Sequence, residues 1–355
     1  MEKFLITFVV FFCRIILHAQ QLTYAVDQNT NFILEPLNAD KLREIKSFRD
    51  GNDIIQFENL GVKAVKFYTA KYVTQMHQIT FRKIDQNGKV LMVNEVEKGE
   101  KNFGPLPDVP VEFNNKLLLF YCRYDKDSMK LYLSEINKAN LVFLNTKLLY
   151  SYAQKNSGLV GMRKILMRRI LVRKSPDENK ILVAIQGEKN EYFSAVFGPD
   201  IDMTRKKMSV LPLSEEDNIQ DGAIDNNGNS VFLIANSGKP WPDDFALYPD
   251  MYSATSYLVL QPSAGKEKFV KCNTLLQGKE LYNVHFNASQ QSSKLYVFGD
   301  YSTNGEVEGL WLSEINTDGL ELSKPVLYPY PDDIRKTFSD LKLSLTDKKS
   351  FAYSN

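Results

Sequence analysis

The sequence is poor in the residues that bind metals and carry histidine- or cysteine-based chemistry. It has 3 cysteines, 3 histidines and 2 tryptophans among 355 residues. The histidines stand far apart, and no two cysteines have the close spacing of a zinc-binding motif, so the sequence supplies no zinc ligand set. No Gly-x-Ser-x-Gly motif of a serine hydrolase occurs either. We therefore expect no metal, no cofactor and no histidine-dependent catalysis.

The sequence also lacks an excess of charge of either sign. It has 44 Lys and Arg residues against 43 Asp and Glu residues. Loss of residues 1–20 would remove Glu2, Lys3 and Arg14 and leave 42 of each sign. Proteins that bind nucleic acid need a positive excess to neutralise phosphates. This balance excludes nucleic acid as the expected partner.

Long apolar runs are limited to the N-terminus. Lys3 precedes an apolar run over residues 4–13, and Ala19 offers a small residue for cleavage. The alternative is an uncleaved membrane anchor, but a spanning helix needs about 20 apolar residues. The pattern predicts a signal peptide at residues 1–20 and an exported protein that is periplasmic, on the cell surface or secreted. Cys122 and Cys272 then remain, either paired with each other or as small buried apolar residues.

Short apolar runs, rich in β-branched and aromatic residues, recur through the rest of the chain. They lie at residues 117–122, 181–185, 231–235 and 295–298, and each follows a turn rich in Asn, Asp or Ser. Such runs predict strands that are buried on both faces. Aromatic residues make up 12% of the chain, and they favour sheets over helices. We expect an all-β protein.

The spacing of these runs predicts a repeat. The residues that open them, counted to Ser350 near the end, are 64, 50, 64 and 56 residues apart. Residues 131–137 and 310–316 are identical at six of seven positions. Repeats of strand, turn and strand at this period are typical of β-propellers. The prediction is a single propeller domain of five to six blades over residues 21–355, with tandem β-sandwiches as the alternative.

Residues 175–183, which read Ser-Pro-Asp-Glu-Asn-Lys-Ile-Leu-Val, resemble the strand opening of TolB-type, WD40-like propeller repeats. Looser versions stand at residues 223–229 and 345–350. The chain as a whole is similar to exported propeller-like proteins of the Bacteroidetes type. This resemblance implies a fold and no reaction. It also implies that either the N-terminal strands complete the last blade or the ring is open, since the chain stops just after a strand-like segment.

One loop, over residues 236–253, combines aromatic rings, carboxylates and prolines between two predicted strands. Rings beside carboxylates suit stacking on a sugar or gripping a peptide, whereas the alternative is that the rings only pack the loop. The candidate ligand-binding residues are Trp241, Asp243, Asp244, Phe245, Tyr248 and Tyr252.

These features predict an exported, non-catalytic interaction module for a protein or saccharide of the cell envelope. One alternative is a propeller-type carbohydrate-active hydrolase that uses paired carboxylates, for which the sequence offers residues 215–217, 243–244 and 332–333. Another is a passive structural component of an envelope assembly, which would expose a contiguous apolar patch.

Overall fold

The computed structural model describes residues 43–60, 77–98, 108–125, 128–153, 170–187, 191–210, 218–235, 251–252, 257–289, 294–303, 306–316 and 321–340. The predicted signal peptide lies outside these ranges. Within them the chain forms antiparallel sheets and two short helices, α1 (Cys272–Leu275) and α2 (Asp332–Asp340). The all-β prediction is confirmed. None of the described helices has the length and apolar character needed to cross a bilayer.

The described strands form five sheets, and in the first three the strands lie in chain order. Sheet A contains β1 (Arg43–Asp50), β2 (Asp53–Leu60), β3 (His77–Ile84) and β4 (Val90–Lys98). Sheet B contains β5 (Asp108–Phe113), β6 (Lys116–Asp125), β7 (Ser128–Ile136) and β8 (Phe143–Ala153). Sheet C contains β9 (Leu171–Lys174), β10 (Ile181–Gln186), β11 (Glu191–Phe197) and β12 (Met203–Val210).

One short strand, which follows a strand of sheet D in the chain, pairs in sheet E instead. Sheet D has the order β13 (Asn218–Ile224), β14 (Ser230–Ala235), β16 (Tyr257–Gln261) and β17 (Lys268–Lys271). Sheet E begins with β15 (Met251–Tyr252) and continues through β18 (Glu280–Ala288), β19 (Lys294–Thr303) and β20 (Glu306–Asn316). Two short strands, β21 (Glu321–Leu322) and β22 (Val326–Pro329), both pair with β20.

The chain divides into two compact units. The first contains sheet A and residues Ile136–Leu144, which join β7 to β8 and include their adjoining ends, and the second contains the other strand residues. In the first unit, Phe57 and Phe81 are buried, with ring centroids 5.3 Å apart, and Phe143 packs edge-on against Phe81 at 6.2 Å. Lys83 closes the β1–β2 turn by ion pairs to Asp50 at 2.6 Å and Asp53 at 3.5 Å. The hydrogen bond and charge of Asp50 raise the pKa of Lys83.

In the second unit, three apolar layers lie between successive sheets. The first layer joins sheets B and C, the second joins C and D, and the third joins D and E. Sheet C contributes alternate residues to two layers: Ile181 and Val183 face sheet B, whereas Leu182 and Ala184 face sheet D. Because side chains alternate along a strand, a strand buried on both faces must be apolar at every position. This explains why the apolar runs predicted strands so well.

Neighbouring sheets of this unit contact one another through their early strands. β5 contacts β9, β9 contacts β13, and β13 contacts β18. Turns at the strand ends add hydrogen bonds between sheets C and D. Asn226 accepts a bond from the Asp177 backbone N–H at 3.0 Å, and its carbonyl accepts one from the Lys180 ammonium at 2.6 Å.

The Ser-Pro-Asp turn is held by its own side chains. The Ser175 hydroxyl donates to the Asp177 carboxylate at 2.5 Å and accepts from the Lys180 backbone N–H at 2.9 Å. The carboxylate also accepts from the Asn179 backbone at 3.1 Å. These bonds close the β9–β10 hairpin and start β10 at the predicted position. The turn therefore has a structural role, as its sequence indicates.

Candidate functional site

The two fourth strands of sheets B and C border an open groove. β8 and β12 are each the last strand of their sheet, and in the described sheets each has a single neighbour. The space between them has a volume of about 380 Å³. Leu148 and Met208 are 54% and 47% exposed at its mouth, which leaves apolar surface open to a ligand. We call this space the β8–β12 groove; its lining residues are Leu148, Leu149, Tyr150, Ser151, Lys206 and Met208.

The floor of the groove is closely packed. The Tyr150 ring stacks on Phe193 with a centroid distance of 4.9 Å and an angle of 4°. Both rings are buried, and the Tyr150 hydroxyl fills the space that a side chain on Gly187 would need. The Lys206 ammonium lies over the Phe193 ring, 5.7 Å from its centroid. Because these rings are already packed, binding of a ligand would cost less entropy than binding to a surface that had to become ordered.

A polar cavity of about 420 Å³ continues along β8 from the groove. Lys116 and Glu135, on the neighbouring strands β6 and β7, form an ion pair in its lining at 3.7 Å. The Ser134 and Thr146 hydroxyls are hydrogen-bonded at 2.7 Å. Since residues 145–147 line this cavity and residues 148–151 line the groove, the two spaces lie end to end. The remaining lining residues are Leu118, Leu133, Asn145, Lys147, Asp200 and Ile201.

The corresponding space between sheets C and D is closed by hydrogen bonds. The Arg205 guanidinium donates to the carbonyls of Gly228 at 2.7 Å and Pro262 at 2.9 Å, and to the Ser230 hydroxyl at 2.9 Å. Burial lowers the pKa of Arg205 to about 10, so the group is still charged at neutral pH and needs these acceptors. Gln261 completes the network by donating to Glu267 at 2.9 Å.

β12 therefore has two different faces. Arg205 and Lys207 face sheet D, where Lys207 donates to the Gly265 carbonyl at 3.0 Å. Lys206 and Met208 are the alternate residues and line the groove. Because side chains alternate across a strand, one strand both joins sheets C and D and leaves sheets B and C open at their outer strands.

A second exposed apolar surface covers the outer face of sheet E. The register pairs Phe298 with Leu312, Leu312 with Val326, and Leu310 with Tyr328, so these five side chains share one face. Four of them, all except Leu312, are 36–52% exposed. The opposite face of the same strands packs into the third apolar layer, which contains Trp311. We call this surface the sheet E patch.

Most of the sequence-predicted ligand loop lies outside the described ranges, which include residues 251–252 of it. Trp241, Asp243, Asp244, Phe245 and Tyr248 lie outside the described residues, and the predicted site stays a prediction. Tyr252 lies on β15, whose backbone pairs with β18 so that Tyr252 is opposite Leu281.

Of the candidate carboxylates, Asp332 and Asp333 lie within the described residues, whereas residues 243–244 lie outside them. Asp332 and Asp333 are exposed in the first turn of α2, where Arg335 bonds Asp332. Residues 215–217 lie outside the described ranges. His285 lies on β18 beside Phe298, with ring centroids 5.9 Å apart. Across the described ranges, no three His, Cys, Asp or Glu side chains are grouped so as to hold a metal ion.

Comparison with known proteins assigns no family. No protein-family model matches the chain, and no curated protein matches it. Among solved structures it is similar to the polysaccharide lyase Uly1, at 8% identity over 82% of this chain and 70% of that one, with a TM-score of 0.39. It is also similar to a mutant of the Synechocystis apocarotenoid oxygenase (12% identity, 82% and 70% coverage, TM-score 0.42) and to its cobalt-substituted form (13% identity, 81% and 70% coverage, TM-score 0.40). Similarities this distant do not indicate an activity for this chain. They also do not bear on its resemblance to TolB-type repeats.

The groove residues were not singled out in the sequence. Leu148 and Met208 lie in windows that read as ordinary half-exposed strands. The signal in β12 is weak, since the face with Met208 and Val210 also carries Lys206, and the opposite face carries Arg205 and Lys207. This pattern does not say which face is open to solvent.

Proposed function

We propose that this chain is an exported, non-catalytic interaction module that binds a partner protein of the cell envelope in the β8–β12 groove. The observation that carries the proposal is the open groove between two edge strands, with an apolar mouth and a closely packed aromatic floor. Edge strands offer backbone N–H and C=O groups to an extended segment, and adjacent pockets then select its side chains. Such a groove suits a peptide segment of another protein.

The lining favours a protein over a saccharide. Sugars stack on exposed aromatic faces, whereas the exposed lining side chains here include Leu148 and Met208. The Tyr150 ring is already stacked on Phe193. Methionine and leucine adapt their shape to aliphatic or aromatic side chains. A saccharide stays the expectation for the loop that contains Trp241, which lies outside the described residues.

We also propose that the sheets are the blades of a β-propeller related to the TolB type. Three features support this: four-stranded antiparallel sheets, contacts between the early strands of successive sheets, and apolar layers on both faces of sheets C and D. In a β-sandwich, each sheet buries one face and exposes the other. Shared layers therefore favour blades over sandwiches.

Affinity capture from the native envelope tests the function. The full chain with a C-terminal tag is compared with Met208→Glu, which places a charge at the groove mouth, and with Met203→Glu, which changes an exposed methionine of the same strand outside the groove lining. We expect a stoichiometric protein partner with the parent and with Met203→Glu, and its loss with Met208→Glu. A partner that both variants retain equally would exclude the groove as its binding site.

A further inference from the structure

We propose that the β8–β12 groove selects an acidic segment, in which one apolar side chain is flanked by Asp or Glu residues in an extended peptide. The inference rests on the proposed function and names the chemistry of the partner. It follows from two lysines near the apolar mouth: Lys206 on β12, which lines the groove with its ammonium over the Phe193 ring, and Lys147 on β8, which lines the adjoining polar cavity.

The apolar mouth provides the anchor. Leu148 and Met208 belong to opposite walls and are both about half exposed, while Leu149 and Tyr150 form the buried floor between them. A volume of about 380 Å³ is at the lower end of the range for ligand pockets, which suits a side chain and its neighbours better than a large cofactor. One apolar residue of the partner would bury its surface here.

The two lysines provide the charge selection. Lys147 immediately precedes Leu148 and lines the polar cavity, and Lys206 is two residues from Met208 on the same face of β12. Both side chains are exposed, and within the described part of the chain neither ammonium has an acidic partner. A ligand anchored between Leu148 and Met208 would have the Lys206 charge in the groove and the Lys147 charge in the adjoining polar cavity.

The neighbouring charges do not cancel this preference. Arg205 and Lys207 face sheet D and donate to backbone carbonyls there. Lys116 is paired with Glu135. Asp200 is the remaining acid of the lining and lies with the polar cavity, not with the apolar mouth. The balance at the mouth is therefore positive, and it favours carboxylates on both sides of the anchor residue.

The expected selectivity is modest and depends on salt. An exposed ion pair contributes little by itself, and two of them together change an affinity by about tenfold at low ionic strength. Screening removes most of that difference at high salt. The apolar contact is not screened, so binding through the anchor should persist after the charge preference has gone.

Fluorescence anisotropy with two labelled, end-blocked pentapeptides tests the inference. One is Asp-Asp-Leu-Asp-Asp and the other is Lys-Lys-Leu-Lys-Lys, each titrated with the full chain at low and at high salt. We expect the acidic peptide to bind about tenfold more tightly at low salt, with the difference reduced at high salt. Equal affinities, or no binding of the acidic peptide, would overturn the inference.

A matched pair of charge-reversal variants locates the selection. Lys147→Glu with Lys206→Glu should invert the preference between the two peptides. Lys89→Glu with Lys266→Glu changes two exposed lysines elsewhere by the same net charge and should leave the preference as in the parent. Inversion by both double variants would show a non-specific charge effect and reject the groove. Circular dichroism and thermal melting confirm that each variant is folded.

The same variants separate this inference from the proposed function. If the captured envelope protein is lost with Met208→Glu but retained after reversal of Lys147 and Lys206, the groove binds its partner without selecting acid, and only the inference fails. If Met208→Glu also retains the partner, both fail.

Discussion

At the scale of single residues, one turn sequence occurs in two environments. Asp85 and Asp225 each open a turn of the form Asp-x-x-Gly-x, and each carboxylate accepts the backbone N–H four residues later, at 2.8 Å and 2.7 Å respectively. Asp225 is fully buried and also accepts from the Asn229 amide at 2.9 Å, whereas Asp85 lies in a more exposed turn. Comparison of the two positions distinguishes the contribution of the turn hydrogen bonds to stability from the contribution of burial.

We expect Asp225→Ala to lower the free energy of unfolding by about 2–4 kcal/mol, because it leaves buried donors without an acceptor. Asn229 would also lose the group that orients it to accept the Ser263 N–H at 2.8 Å. Asp85→Ala should cost about 1 kcal/mol or less, since water replaces its acceptor. Urea denaturation measures both, and equal costs would contradict the role given to burial.

At the scale of elements, β20 shows how one strand serves two surfaces. Leu310 lies in the sheet E patch and is 42% exposed, while its neighbour Trp311 is fully buried in the third layer. Trp311→Ala should destabilise the protein by about 3–5 kcal/mol, because it leaves a cavity between sheets D and E. Leu310→Ala should cost about 1 kcal/mol or less. Similar costs in chemical denaturation would show that the patch is covered in solution.

The strands were predictable because burial on both faces leaves a clear record in the sequence. The predicted runs coincide with β6, β10, β14 and β19, which are internal strands of their sheets. The prediction of burial on both faces is wrong for β19, in which Leu295 and Val297 are buried but Phe298 is 36% exposed. The two matching windows at residues 131–137 and 310–316 end the hairpins β6–β7 and β19–β20. Edge strands have a less distinctive sequence pattern, since many kinds of side chain are tolerated where a strand faces solvent.

The groove could not be predicted because it depends on contacts between strands far apart in the chain. Leu148 and Met208 are sixty residues apart, and the sequence around neither residue predicts a groove between the two strands. Whether an outer strand is joined to its neighbour depends on groups such as Arg205, whose acceptors at Gly228 and Pro262 belong to another sheet. Local patterns record the environment of a strand, not the identity of its neighbour.

At the scale of the whole molecule, the cysteines lie in separate layers. Cys122 belongs to the layer between sheets B and C, and Cys272 belongs to the layer between D and E. Both are buried and no disulfide joins them, which agrees with their interpretation as small apolar residues. Burial raises the pKa of the Cys272 thiol to about 12 from 9.0, so about a thousandfold less thiolate is present near pH 8.

We expect neither of these two thiols to react with iodoacetamide in the native protein at pH 8, and both to react in denaturant, because the thiolate is the reacting species. Peptide mapping by mass spectrometry assigns the labelled residues. Recovery of a Cys122–Cys272 disulfide-linked peptide from the purified native protein would contradict the separation of the layers.

The shared layers decide where the chain can be divided. A break between sheets C and D separates the two halves of one layer, so each fragment carries an apolar surface shaped by the other. One fragment would expose Leu182, Ala184 and Tyr192, and the other would expose Phe232, Ile234 and Val259. Neither fragment should be soluble alone, yet the two expressed together have complementary surfaces and should reassemble. The second unit is therefore a scaffold for fragment complementation, with the cut placed in the connection between β12 and β13.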